Sequence, residues 1–173
     1  MDDSKLNKIT LIGMPWSGKT TIGKALADKL SYNFLDLDFM VEEHEGASLI
    51  EVMNSKGPDY FRDMEYGFLK ELVPSNKAVI SPAGSIILHK DAIGWITRST
   101  FTVFLDTPFN TIDARSKNAP KAVFGLSERG LKSIWDERQP LYRGYADHIV
   151  TTEGKSVDSI LDEIISAIHK HIK

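Results

Sequence analysis

The chain has 173 residues, the length of a single domain, and its 42% hydrophobic and 26% charged residues are ordinary for a globular protein. A net charge of −3 gives no overall attraction to nucleic acid or to an anionic membrane, so phosphate groups would have to be bound by a local arrangement. The absence of cysteine excludes disulfides, thiolate catalysis and cysteine-based zinc sites. Because we find neither a signal-peptide pattern nor an apolar run near the roughly 20 residues that cross a bilayer, we expect a cytoplasmic protein.

Short apolar runs alternate along the chain with longer segments of helical period, and this alternation predicts an α/β fold with a parallel sheet. The predicted strands are residues 9–12, 34–35, 78–80, 101–105 and 149–150. Helices are predicted over 20–30, from the capping box at 48–51, after the Gly57-Pro58 break, over 107–115, from Ser127 and from Ser156. Residues 116–126 lack a clear period and are predicted to form a mobile loop within a single domain, 1–173.

Residues 13–20, which we call the phosphate loop, read GMPWSGKT and satisfy the pattern G-x-x-x-x-G-K-[ST] between a predicted strand and a predicted helix. The glycines Gly13 and Gly18 allow backbone N–H groups and the helix N-terminus to face an anion. Lys19 is expected to bridge the β- and γ-phosphates of a nucleoside triphosphate, and the Thr20 hydroxyl to bind Mg²⁺. Trp16 is unusual in this loop, and two interpretations stay open: it packs outward over the nucleotide, or it marks an altered loop.

Asp36 and Asp38 follow the second predicted strand, and both would point to one side if that strand continued. The carboxyl ends of parallel strands form the edge where ligands bind, which is also the edge of the phosphate loop. One carboxylate could hold Mg²⁺ through water while the other contacts an acceptor hydroxyl. The alternative is that Asp38 is a helix N-cap. Taken alone, Arg62 and Arg138 are typical of solvated surface residues.

Four further segments stand in a characteristic order: D-x-D at 36–38, GASLIEV at 46–52, GPDYFRDME at 57–65 and RQPLYRGYAD at 138–147. With the phosphate loop, they are similar to the motifs of the shikimate kinase family over nearly the whole chain, from Ile9 to about Thr152. The phosphate loop is shared with many families, but the last two segments are much more specific.

The resemblance implies a three-layer α/β/α fold with a five-stranded parallel sheet, the P-loop kinase fold, in which a mobile lid covers about residues 116–126. It implies ATP- and Mg²⁺-dependent phosphorylation of the 3-hydroxyl of shikimate. The expected partners are therefore ATP and a small acid, without nucleic acid or membrane, and the expected state is a monomer.

The resemblance also implies roles for individual residues. Asp36 would join Thr20 at Mg²⁺, and Asp38 would orient or deprotonate the acceptor hydroxyl. Arg62 and Arg138 would clamp the shikimate carboxylate, which suits a bidentate donor. The remaining implied contacts are the backbone of Gly84 to the acceptor, Arg115 near the adenine, Lys121 at the phosphates, and Ser17 and Thr21 in the nucleotide site.

The chain departs from the family pattern at several of these positions. The family's triple glycine is Ala83-Gly84-Ser85, Trp16 and Pro58 replace a glycine and an acidic residue, and the lid has no arginine. Lys121 is the nearest lid cation, but a lysine cannot grip two oxygens bidentately. Two alternatives therefore stay open: a kinase of another small hydroxy acid such as gluconate, or a nucleotide-binding regulatory homologue with impaired turnover.

Overall fold

A five-stranded parallel sheet forms the centre of the computed structural model, which describes residues 5–72 and 77–172. The strands are β1 (Lys8–Ile12), β2 (Asn33–Asp36), β3 (Ala78–Ser81), β4 (Phe101–Asp106) and β5 (His148–Thr151). Their order is β2-β3-β1-β4-β5, and every neighbouring pair is parallel. The predicted fold class is confirmed.

Helices cover both faces of the sheet. They are α1 (Lys19–Leu30), α2 (Leu37–Glu45), α3 (Leu49–Leu72), α4 (Lys90–Ser99), α5 (Phe109–Asn118), α6 (Leu126–Arg129), α7 (Leu131–Tyr145) and α8 (Val157–Ile172). Short 3₁₀ turns occupy Lys5–Asn7 and Ile86–Leu88. None of the helices in the described ranges is long and apolar enough to cross a membrane.

The core divides into layers because successive residues of a strand point to opposite faces. Ile12, Ile80 and Phe104 pack with residues of α4 and α7 on one face. Leu11 and Val79, with other alternate strand residues, pack with α1 and α8 on the opposite face. Because both faces are covered, the central strands are apolar almost throughout, as in other parallel sheets.

Helix α3 contains the break that Gly57-Pro58 predicted. Gly57 has a φ of 85°, which is not helical, so two helical segments meet there. The second segment brings Phe61 against Val41 of α2 and Val52 of the first segment, in a small apolar cluster beside the sheet. This cluster supports the part of the molecule that carries Arg62.

Three predicted boundaries are wrong. The second strand does not continue through Asp38, because Asp36 caps α2 and the chain turns into a helix at Leu37. The predicted loop 116–126 begins inside α5, which reaches Asn118. The helix predicted from Ser127 is interrupted at Gly130, whose φ of 74° separates α6 from α7.

Candidate active site

A cleft of about 800 Å³ opens at the carboxyl ends of the strands, where ligands bind in open α/β sheets. The phosphate loop and the start of α1 form its floor, and α2 forms one wall. Ala83, Gly84 and Ser85, which we call the acceptor loop, form another wall. Residues 118–124 of the lid (residues 116–126) and Arg138 of α7 also line the cleft, together with residues of α3 and of the segment from β5 to α8.

The phosphate loop places Lys19 at the centre of this floor. Gly18 has a left-handed φ of 97° and precedes α1 directly, so the N-terminus of that helix faces the cleft. The buried Lys19 ammonium donates to the carbonyl oxygens of Gly13 and Met14 at 2.9 and 2.8 Å. Burial lowers the pKa of Lys19 to about 8, and the charge of Asp38 opposes that shift. Ser17 and Thr21 line the cleft, whereas Gly13 is not among its lining residues.

The two predicted magnesium ligands lie together. The Thr20 hydroxyl donates to Asp36 Oδ2 at 2.9 Å, and Asp36 Oδ1 accepts from the backbone N–H of Phe39 at 3.5 Å. The N-cap is therefore Asp36, and the alternative that placed it at Asp38 is wrong. Within the described ranges no group of three or more histidine, cysteine or acidic side chains could hold a metal by itself. One carboxylate and one hydroxyl suit Mg²⁺, which takes its other ligands from phosphates and water.

Asp38 stands in the first turn of α2, with its carboxylate in the same cleft. Its Oδ1 is buried and accepts no hydrogen bond from the described residues. Burial raises the pKa of Asp38 to about 6, while the nearby charge of Lys19 works in the opposite direction. A carboxylate with a free oxygen and such a pKa can accept a proton near neutral pH.

Arg138 lies on the buried face of α7, one turn from Ile134 and one turn from Tyr142. Its residue surface is only 2% exposed, and its Nε has no hydrogen-bond partner among the described residues. Buried arginines are normally paired, so an unsatisfied guanidinium nitrogen at a cleft indicates a site for an anion.

Arg62, for which the resemblance implies a contact with the acceptor carboxylate, lies beside the lid. Its Nη1 donates to Asp59 at 2.7 Å, and its Cζ lies 5.5 Å from the ring centroid of Phe124 in the lid. Phe124 lines the cleft and Arg62 does not. The Nε of Arg62 is buried without a partner in the described part of the chain. The structure therefore brings Arg138 to the cleft and Arg62 to a lid side chain, and the contact of Arg62 with the acceptor carboxylate stays a prediction.

The acceptor loop is held from two sides. Glu65, fully buried in α3, accepts a hydrogen bond from the backbone N–H of Ala83 at 2.7 Å, and the Tyr142 hydroxyl donates to the carbonyl of Gly84 at 2.6 Å. A Cβ on Gly84 would lie 2.7 Å from Pro15 Cδ and 3.1 Å from the carbonyl oxygen of Gly13. The retained middle glycine therefore allows the acceptor loop to approach the phosphate loop closely.

The lid joins the phosphate loop through Trp16. This residue is 7% exposed, and its indole Nε1–H donates to the carbonyl of Ala119 at 2.6 Å. The interpretation that Trp16 packs outward is wrong. Arg115, predicted near the adenine, lines the cleft and donates to the Trp16 carbonyl at 2.8 Å. Lys121 also lines the cleft, and its charge contributes to the lowered pKa of Lys19.

Comparison with known proteins shows which family the chain belongs to. A family model described as shikimate kinase matches residues 15–169. The chain belongs to the shikimate kinase family. The shikimate kinase of Persephonella marina is 31% identical over 164 residues, which cover 94% of this chain and 99% of that protein. The structure of shikimate kinase from Acinetobacter baumannii in complex with shikimate has a TM-score of 0.86 and 28% identity, over 98% of this chain and 96% of that one.

A more distant structural neighbour is a gluconokinase from Sinorhizobium meliloti, with a TM-score of 0.58, 15% identity, and coverage of 94% of this chain and 91% of that one. That likeness shows a shared fold and does not favour gluconate as the acceptor.

Sequence reasoning missed Glu65 and Tyr142 as supports of the acceptor loop. Glu65 lies four residues after Phe61 and four before Leu69, both of them buried residues of α3. A carboxylate between two core positions on one helix face was the available signal. It indicates a buried charge with a hydrogen-bond partner, because charged residues are rarely buried without one. Tyr142 gave no comparable signal, since tyrosine is common in cores.

Proposed function

We propose that this chain transfers the γ-phosphoryl group of ATP to the 3-hydroxyl of shikimate. The observation that carries the proposal is Arg138, a buried guanidinium with an unpartnered Nε in the same cleft as Lys19 and Asp38. An acceptor with a carboxylate would satisfy that group, and the hydroxyl of the same molecule would then meet Asp38. Membership of the shikimate kinase family supports this choice among small hydroxy acids.

In the proposed reaction the acceptor oxygen attacks the γ-phosphorus while the bond to the bridging oxygen of ADP breaks and leaves its electron pair on ADP. Asp38 takes the hydroxyl proton on its free Oδ1, which the pKa of about 6 allows at neutral pH. The ammonium groups of Lys19 and Lys121 stabilise the charge that develops on the transferring group.

Thr20 and Asp36 would hold Mg²⁺, since their side chains already contact each other beside the phosphate loop. When bound, Mg²⁺ would supply positive charge that neutralises part of the charge of the phosphates. Ser17, Gly18 and Thr21 would contact the nucleotide phosphates, and Arg115 the base. A monomer, a single domain over 1–173 and a cytoplasmic location stay predictions.

ADP release measured with shikimate, quinate, gluconate and no acceptor tests the proposal directly. We expect turnover with shikimate to exceed turnover with the other acids and to vanish without acceptor. Preferential turnover of gluconate would refute the choice of acceptor. Binding of ATP without ADP release for any acid would instead favour the regulatory alternative.

A further inference from the structure

Trp16 occupies a backbone conformation that favours glycine. Its φ is 66°, in the left-handed region, where a bulky side chain is strained. The family pattern has glycine at this position, which would adopt the same φ without strain. A tryptophan kept here must gain contacts that offset the strain, and the contacts lead to the lid.

Two hydrogen bonds connect Trp16 with the end of α5, and a third lies within the end of that helix. The indole N–H donates to Ala119, the carbonyl of Trp16 accepts from Arg115, and the backbone N–H of Ala119 donates to the carbonyl of Arg115 at 3.2 Å. Ala119 is the C-cap of α5 and the first non-helical residue of the lid. The indole is therefore fastened to the point from which the lid extends over the cleft.

Lys121 follows Ala119 by two residues and lines the same cleft as Lys19 and Asp38, and its charge lowers the pKa of both groups. As a single ammonium on a flexible stem, it cannot orient itself on phosphate oxygens through a rigid fork. If it contacts the phosphates of a bound nucleotide, its position there must therefore come from the backbone that carries it.

We propose that Trp16 is a positioning residue, whose indole hydrogen bond fixes the start of the lid to the phosphate loop and so places Lys121 at the transferring phosphoryl group. The inference rests on the proposed function for its kinetic consequence. The physical reason is preorganisation: the start of the lid at Ala119, which we call the lid base, is already bonded to the phosphate loop, so it loses less conformational freedom when the lid closes. Trp16 acts through Lys121, so its removal should lower turnover more than ATP affinity.

The alternative is that Trp16 only fills the core, since it belongs to the apolar cluster between the sheet and α7. A double-mutant cycle separates the two roles. We expect Lys121→Ala to lower kcat about 10- to 150-fold, the range of one charge-assisted hydrogen bond. Trp16→Gly, which relaxes the backbone, should lower kcat with little change in ATP affinity. The double variant should be hardly slower than the slower single variant.

Trp16→Phe keeps an aromatic ring in the core and removes the N–H donor. We expect it to lower kcat in the same direction as Trp16→Gly, while Trp95→Phe, a matched change on α4 outside the cleft, leaves kcat unchanged. Wild-type kcat in Trp16→Phe, or additive effects in the cycle, would overturn the proposal. Should Trp16→Gly fail to fold, a thermal melt reveals it, and the Phe variant decides.

Limited proteolysis tests the same contact without any turnover. Trypsin cleaves after Lys117 and Lys121, and its rate follows the fraction of time that the lid base is open. Loss of one hydrogen bond predicts cleavage about fivefold faster in Trp16→Phe than in wild type, and no change in Trp95→Phe. Equal cleavage rates in wild type and Trp16→Phe would overturn the proposal. A wild-type protein that does not phosphorylate shikimate would refute the proposed function and leave this test valid.

Discussion

Removal of the Arg138 guanidinium is the most direct test of the acceptor site. The side chain is buried on α7, with an Nε that lacks a partner within the described ranges. If it binds the acceptor carboxylate, Arg138→Ala removes at least one charge-assisted hydrogen bond, worth about 1.5–3 kcal/mol. The expected loss of acceptor affinity is therefore about 10- to 150-fold, since about 1.4 kcal/mol corresponds to a factor of ten.

Arg138→Lys should lose much of this affinity although the charge is retained. A lysine ammonium cannot form two parallel hydrogen bonds with a planar carboxylate, and its stem places the charge differently. Comparison of the Ala and Lys variants thus separates the contribution of geometry from that of charge.

The assay is ADP release at saturating ATP with a shikimate titration, together with shikimate binding at equilibrium. Arg143→Ala is the matched control, because it removes the same charge from the same helix at a side chain that is 51% exposed and paired with Asp106. We expect its acceptor KM to stay at the wild-type value. ATP affinity should be unchanged in all three variants, and a thermal melt checks folding. A wild-type acceptor KM in Arg138→Ala would refute the carboxylate site.

Three further changes test the rest of the cleft. Lys19→Met should lower turnover at least about 10²-fold, because it removes a buried charge aimed at the transferring group, and near-normal turnover would mean that the phosphate loop is not the reacting site. For the free enzyme, kcat/KM should rise as pH increases through about 6, where Asp38 deprotonates, and fall above about 8, where Lys19 loses its proton. Asp38→Asn should abolish the acidic limb of this pH profile in whatever activity remains. An unchanged acidic limb would exclude Asp38 as the proton acceptor. Gly84→Ala should lower turnover on the order of 10²-fold, because its Cβ would lie 2.7 Å from Pro15 Cδ and must displace that residue. Gly67→Ala, where a Cβ meets open space, is the control. Equal activity of the two variants would contradict the argument that Gly84 allows the two loops to approach closely.

The phosphate loop could be predicted from the sequence because the contacts that set its shape and place Lys19 are local. Eight consecutive residues fix the strand end, the turn and the helix start, and the Lys19 ammonium meets carbonyls only five and six positions away. The five strands were predicted for a related reason, since each is an apolar run bounded by polar residues or glycine. Only their bounds differ, and no strand end differs by more than one residue.

Helix α2 was missed because two patterns overlap at its start. The alternation of Asp36, Leu37 and Asp38 is that of a strand edge, but Leu37 and Val41 are also spaced as one face of a helix. The Asp36 side chain decides between the patterns by capping the helix. Both carboxylates reach the cleft in spite of this error, because the helix begins at the same edge of the sheet.

The bonds that a local pattern could not reveal connect distant parts of the chain. The indole of Trp16 meets a carbonyl 103 positions away, and the carboxylate of Glu65 meets a backbone N–H 18 positions away. Neither partner has a side-chain signature, since both are backbone groups. Such contacts follow from the way the helices pack on the sheet, which periodicity alone does not define.

The acidity of Asp38 also depends on contacts that only the fold brings together. Burial raises the pKa of Asp38, and the charge of Lys19 lowers it. Burial also lowers the pKa of Lys19, and the charge of Asp38 raises it. Each group therefore favours the charged form of the other. Loss of Lys19 would leave Asp38 with a still higher pKa and a larger protonated fraction at neutral pH. The phosphate loop thus contributes to the acceptor side of the reaction as well as to the nucleotide side, and the effects of changing Lys19 and Asp38 should not be additive.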